Sequence, residues 1–221
     1  MSKVSVIIVA AGEGKRFGAA KQFALLKGRT VLDWSLARFE EHEAVDRIIL
    51  VLGRDRSGDE YLAKYTKIAA IASGGEKRQD SVYAGLSCVN SQETEIVLVH
   101  DSARPLVGKD LIGRVIEGTK ENGAVIPVVP LEDTVKRVER QKVLRTEERG
   151  QLFRAQTPQG FSCSLLKEAF AHALEDRFYG TDEGVLVEML GKDVYVIPGD
   201  QRNMKITTAE DLIIAEALIE D

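Results

Sequence analysis

Residues 6–23 of this 221-residue chain read VIIVAAGEGKRFGAAKQF. Gly12 and Gly14 permit close backbone approach and leave amides free to cradle phosphate. Lys15, Arg16 and Lys21 face the single acid Glu13, a local surplus of two positive charges. A triphosphate suits such a turn. The spacing excludes two familiar alternatives. A dinucleotide fingerprint needs GxGxxG, but Gly18 comes one residue late, and the LVLGRD end of the second strand offers no acid placed for a ribose. A P-loop needs GxxxxGK before Ser or Thr, which is absent.

Other clusters add to this turn. In VLVHDSARP, Asp101 lies just past a buried strand, where a carboxylate can hold a hard cation bridging phosphates. Its plain alternative is a turn cap. Arg104 adds a second charged group, and His100 reads as a residue that orients the loop. GGEKRQDSV brings Gly74, Gly75, Arg78 and Ser81 to a helix start, whose amides can meet an anion or a base edge. Lys205, taken alone, is a surface lysine beside a helix start. No Ser-His-Asp or Cys-His arrangement is defensible.

Positioning these residues requires a sheet edge. Lys3–Ala10 is a nearly continuous β-branched run, as in a strand buried on both faces. Asp46–Leu52 and Ile68–Ile71 read as further strands, as do Ile96–Val99, Ala124–Val129 and Val194–Ile197. Helices are expected over Thr30–Glu41, after GGEKRQDSV, and over Leu111–Lys120, Ser162–Leu174, Asp182–Leu190 and Thr207–Ile219. Thr207 and Glu210 are spaced as a capping box for the last of these. The alternation predicts a Rossmann-like α/β fold, a mostly parallel sheet flanked by helices, with ligands beyond the carboxyl ends of its strands. Residues 131–150 break the pattern. Five acidic and six basic residues alternate with Val135, Val138, Val143 and Leu144. This reads as a projecting β-arm turning at ERQK. An isolated hairpin is marginal in water, so an arm implies something to pack on, such as a second subunit. A solvated surface hairpin fits the pattern equally well. The whole of 1–221 reads as a single domain, including the projecting arm at about 131–150.

Bulk properties narrow the classes. A formal charge of -5 gives no reason to expect a nucleic-acid polymer or an anionic membrane as partner. Two cysteines without CxxC pairing argue against a disulfide framework or structural zinc. No stretch approaches the roughly 18 apolar residues of a membrane span, and nothing resembles a signal peptide. A cytoplasmic setting is expected.

AAGEGKRFGAAKQF resembles the signature turn of nucleotidyltransferases that join a nucleoside triphosphate to a sugar or polyol phosphate. With GGEKRQDSV, HDSARP, DTVK, TPQ, TDE and the late Lys205, the chain resembles the 2-C-methyl-D-erythritol 4-phosphate cytidylyltransferase family of non-mevalonate isoprenoid synthesis. The matching motifs run from Ala10 to Lys205. The resemblance implies CTP and 2-C-methyl-D-erythritol 4-phosphate as substrates and Mg2+ as the divalent metal. By the same match, Arg16, Lys21 and Lys205 are catalytic. Ala10, Ala11, Gly12, Gly14, Gly74, Gly75 and Ser81 bind nucleotide with Lys21 and Asp101, and Asp101 also holds the metal. Arg104, Thr157 and Thr181 contact the polyol phosphate with Lys205, while Thr134 and Arg149 reach the partner's site through the arm of a homodimer.

Three alternatives stay open at this point. A ribitol 5-phosphate cytidylyltransferase would barely differ in fold or nucleotide motifs. AAG in the first turn and SARP after Asp101 lean away from it. A nicotinamide-dependent dehydrogenase is disfavoured by glycine spacing. A non-catalytic nucleotide-binding dimer has no physical need to gather Arg16, Lys21, Asp101 and Lys205.

Overall fold

The computed structural model describes residues 3–14 and 17–219. Lys15 and Arg16 therefore lie outside the described residues. Strand β1 (Val4–Ala10) leads through the glycine turn to a small hairpin of β2 (Leu25–Leu26) and β3 (Arg29–Thr30), then α1 (Val31–Glu40) and β4 (Arg47–Leu52). Helix α2 (Asp59–Lys64), β5 (Ile68–Ser73), α3 (Arg78–Ser87), β6 (Ile96–Asp101), α4 (Lys109–Asn122) and β7 (Ala124–Pro130) follow. After the arm strands β8 (Lys136–Glu139) and β9 (Lys142–Thr146) come β10 (Phe153–Ala155), β11 (Gln159–Ser162) and α5 (Cys163–Glu175). The chain finishes with α6 (Glu183–Met189), β12 (Tyr195–Pro198) and α7 (Ala209–Leu218).

The main sheet runs β5–β4–β1–β6–β11–β7, with β12 beyond β7. Strands β5, β4, β1 and β6 are mutually parallel, and β12 is parallel to β7. The antiparallel β11 sits between β6 and β7, and β10 continues along that same edge of β7. The β-branched run of β1 is buried because it is the centre of this sheet. Val4, Val6 and Ile8 pack with Leu32, Leu36 and Phe39 of α1 and with α4. Ile7 faces the opposite layer of α3, α5 and α6. A third apolar cluster seats α7 against Leu26, Val31 and Leu106.

Three expectations are corrected. The strand ending in His100 and Asp101 includes both residues. The final helix is capped one residue later than read: Thr208 and Asp211 form the capping box, and Asp211 also accepts from the Thr207 amide. The sequence reading passed over β11, a four-residue strand containing Gly160. The arm is a two-stranded sheet of its own with every strand residue exposed. Its turn places Arg140 and Gln141 at φ 46° and 65°, the left-handed pair that a tight hairpin needs.

Candidate active site

The carboxyl ends of β1, β5 and β6 converge on a cleft of about 710 Å³. The glycine turn after β1 forms one wall, and buried Gln22 ties it down by donating to the carbonyls of Ala10 and Gly12, both at 2.8 Å. Gly14 has φ +68°, and a Cβ there would lie 1.8 Å from the Ala19 carbonyl oxygen, so the turn excludes a side chain at this point. Lys21 lies on the short 3-10 turn that follows and lines the cleft.

The second wall is the start of α3. The Gly75 amide donates to Ser81 Oγ at 3.2 Å, and that hydroxyl donates to the Lys77 carbonyl. Gly74 sits behind: a Cβ on it would meet the Ala11 Cβ at 2.2 Å and Ser81 Oγ at 3.0 Å. The glycine pair thus lets the two walls pack against each other.

The floor is a chain of charges. Arg78 Nε donates to Asp101 Oδ1 at 2.9 Å, and Lys205 Nζ to Asp101 Oδ2 at 2.5 Å. The other two guanidinium nitrogens of Arg78 grip buried Glu183 at 2.7 and 3.0 Å. Burial works against the Asp101 charge, but Arg78 and Lys205 outweigh it and hold this carboxyl far below the usual carboxylate range. Burial also opposes charge on Arg78, yet Asp101 and Glu183 raise its pKa above the ordinary guanidinium value. For Glu183 burial prevails over Arg78 and moves the carboxyl upward.

Beneath the cleft, the loop is fixed by neutral groups. His100 is fully buried, with Nδ1 at 3.2 Å from Thr157 Oγ1 and Nε2 at 3.2 Å from the Arg104 carbonyl. Burial pushes its pKa down to about 3, so the ring is neutral and serves to orient. The Asp101 amide donates to Thr157 Oγ1 at 3.0 Å.

Ala10, Ala11, Gly12, Gly14, Lys21, Gly75, Ser81, Asp101 and Lys205 all line this cleft. Gly74 supports it from behind. Five other expected site residues do not line it. Thr157 is buried, with its hydroxyl committed to the Asp101 loop. Arg104 donates to the carbonyls of Asn203 and Ala155, bracing the segment that presents Lys205. Thr181 is exposed just ahead of α6. Thr134 and Arg149 are exposed at the base of the arm, where Arg149 donates to the Glu132 carbonyl. Arg16 lies outside the described residues.

Sequence reasoning missed Gln22, Glu183 and Asn203. Asn203 is fully buried and donates to the Thr157 carbonyl at 2.8 Å. Gln22 and Glu183 sit inside the KQF and TDE motifs, but each acts through a contact with a distant or backbone group that the motif itself does not reveal. For Glu183 the available signal was an acid inside a helix that otherwise presents apolar residues inward.

An edge of this kind can hold a nucleoside triphosphate and leave its α-phosphate open to attack, which is the work of α/β nucleotidyltransferases. The sequence profile described as 2-C-methyl-D-erythritol 4-phosphate cytidylyltransferase matches residues 4–221. The protein of that name from Bacillus cytotoxicus is 45% identical over 221 residues, covering 97% of each chain. The one from Alkaliphilus metalliredigens is 44% identical, covering 99% of this chain and 93% of its own. The crystal structure of the Thermus thermophilus protein superposes with a TM-score of 0.84 at 36% identity, covering 98% of both chains. That of the Francisella tularensis protein gives 0.85 at 33% identity, over 99% of this chain and 100% of its own. The chain belongs to the 2-C-methyl-D-erythritol 4-phosphate cytidylyltransferase family.

Proposed function

We propose that this protein joins CTP to 2-C-methyl-D-erythritol 4-phosphate, forming 4-diphosphocytidyl-2-C-methyl-D-erythritol and pyrophosphate. The observation that carries the reading is the single cleft in which the glycine turn, Lys21, Ser81, Asp101 and Lys205 meet, in a chain of this family.

A phosphate oxygen of the polyol substrate attacks the α-phosphorus of CTP in line. The new P–O bond forms as the bond to the β-phosphate oxygen breaks, and pyrophosphate leaves. The attacking phosphate is already ionised, so no general base is required, and the protein contributes positioning and charge. Amides of the glycine turn and Lys21 hold the triphosphate and offset charge growing on the leaving group. Arg16 adds to this by family resemblance. Gly75 and Ser81 face the nucleoside. Lys205 aligns the incoming phosphate.

Among the described residues no cluster of three His, Cys, Asp or Glu side chains could cage a metal. Mg2+ is commonly held by one or two carboxylates together with substrate phosphates. Asp101 fits as the protein's ligand. When bound, Mg2+ neutralises phosphate charge and orients the α-phosphate.

By family resemblance Thr134 and Arg149, exposed at the base of the arm, belong to a homodimer. Each arm would then complete the polyol-phosphate site of its partner. The apolar Val138, Val143 and Leu144 are all more than half exposed on the arm, which supports such packing. We assign the protein to the cytoplasm. No helix among the described residues is long and apolar enough to cross a membrane, and both cysteines are unpaired.

The test is pyrophosphate release with CTP, Mg2+ and a panel of polyol phosphates. Turnover should be fastest with 2-C-methyl-D-erythritol 4-phosphate. Preference for ribitol 5-phosphate would reassign the substrate.

A further inference from the structure

We propose that Glu183 is a positioning residue that sets how firmly Asp101 can take a divalent cation, acting through Arg78. The inference rests on the reading of Asp101 as the cation ligand.

Glu183 is 1% exposed and belongs to α6, whereas Arg78 begins α3 and Asp101 ends β6. Three separate elements therefore converge on one guanidinium. A guanidinium has five N–H donors in a fixed fork and prefers to meet a carboxylate with two of its nitrogens. Here that two-nitrogen grip is spent on Glu183, through Nη1 and Nη2. Asp101 is met by Nε. Both Glu183 oxygens accept from Arg78, the two-point geometry of a carboxylate paired with a guanidinium.

Asp101 is consequently held in place by one donor on Oδ1 and not neutralised by a full fork. Its Oδ2 is engaged by Lys205, which is partly exposed. Glu183 offsets part of the Arg78 charge, so Arg78 draws less on the Asp101 carboxylate than an unpaired guanidinium would. Without the Glu183 charge, Arg78 would be an uncompensated cation beside the metal position, free to turn its fork onto Asp101. A single cation beside a carboxylate shifts its proton affinity by roughly tenfold to a thousandfold, and a divalent ion feels that cation more strongly.

The experiment follows Mn2+ binding in the presence of CTP, read from the electron paramagnetic resonance signal of free Mn2+. In Glu183→Gln the carboxamide places an NH2 against the guanidinium donors. The half-saturating Mn2+ concentration should rise about tenfold or more. The double variant Glu183→Gln with Arg78→Met removes both charges and should return it to within about threefold of the unaltered protein. A loss of folded protein alone lowers the number of sites without moving the midpoint, which separates positioning from packing. If Glu183→Gln does not fold, the double variant carries the test, and a wild-type-like midpoint there supports the proposal. An unchanged midpoint in folded Glu183→Gln overturns it, as does a double variant that stays weak or fails to fold. If the unaltered protein takes up no Mn2+ with CTP, the Asp101 reading fails first and this inference with it.

Discussion

Acidification from pH 7 to pH 5 should cost the fold about 2 kcal/mol through His100. The ring is buried between Phe39, Thr157 and the Arg104 carbonyl, and burial lowers its pKa from 6.5 to about 3. In the unfolded chain the ring takes up a proton as pH falls through its ordinary value; in the folded chain it does not until about pH 3. Its contribution is therefore complete above the unfolded value and is lost progressively as pH falls toward the folded one. The loss runs at about 1.4 kcal/mol per pH unit in that interval. The assay is equilibrium urea unfolding at several pH values, compared with His100→Gln, whose amide can keep the bond to the Arg104 carbonyl. His42 is also lowered by burial and by its lysine neighbours, but it is common to both proteins and cancels. The variant should be less stable at neutral pH and should lose about 2 kcal/mol less than the parent on acidification. Parallel losses in both proteins would refute the buried neutral ring. The consequence for function is local, because His100 and Thr157 together fix the backbone that presents Asp101.

Three further outcomes follow from the cleft. Lys21→Met should lower turnover by about two orders of magnitude or more, with thermal unfolding little changed; a near-normal rate would remove Lys21 from the chemistry. Gly14→Ala forces a side chain into a left-handed position against the Ala19 carbonyl. The strain is about 1–2 kcal/mol before the clash is counted, so CTP affinity measured by calorimetry should fall about tenfold or more while the sheet stays folded. Arg149→Ala should raise the Michaelis constant for the polyol phosphate and leave CTP binding intact; equal loss of both ligands would argue against an arm that crosses to the partner.

The parallel half of the fold was legible because β1, β4 and β6 are covered on both faces and carry unbroken apolar runs. Knowing where those runs stop also located Asp101 and the glycine turn, since ligand edges lie at the carboxyl ends of parallel strands. The antiparallel β10 and β11 were not legible. One is exposed and three residues long, and the other reads QGFS, where Gly160 makes room for Thr119 and Val115 of α4. The arm turn was readable from ERQK, but its destination was not, since nothing in a charged hairpin names what it packs on. The charges of Asp101, Arg78 and Lys205 stood out as motifs, whereas Glu183 touches the site only through Arg78, 105 positions earlier. Thr157 was expected toward substrate and instead faces inward, because its hydroxyl is the acceptor that the Asp101 amide needs.

Attack by the polyol phosphate on the α-phosphorus of CTP dictates where each phosphate oxygen must end up. The most direct measurement uses 2-C-methyl-D-erythritol 4-phosphate carrying 18O in its phosphate, with mass spectrometry of both products. All of the label should appear in the cytidine diphosphate product and none in pyrophosphate. Labelled pyrophosphate, or release of labelled inorganic phosphate, would contradict the account.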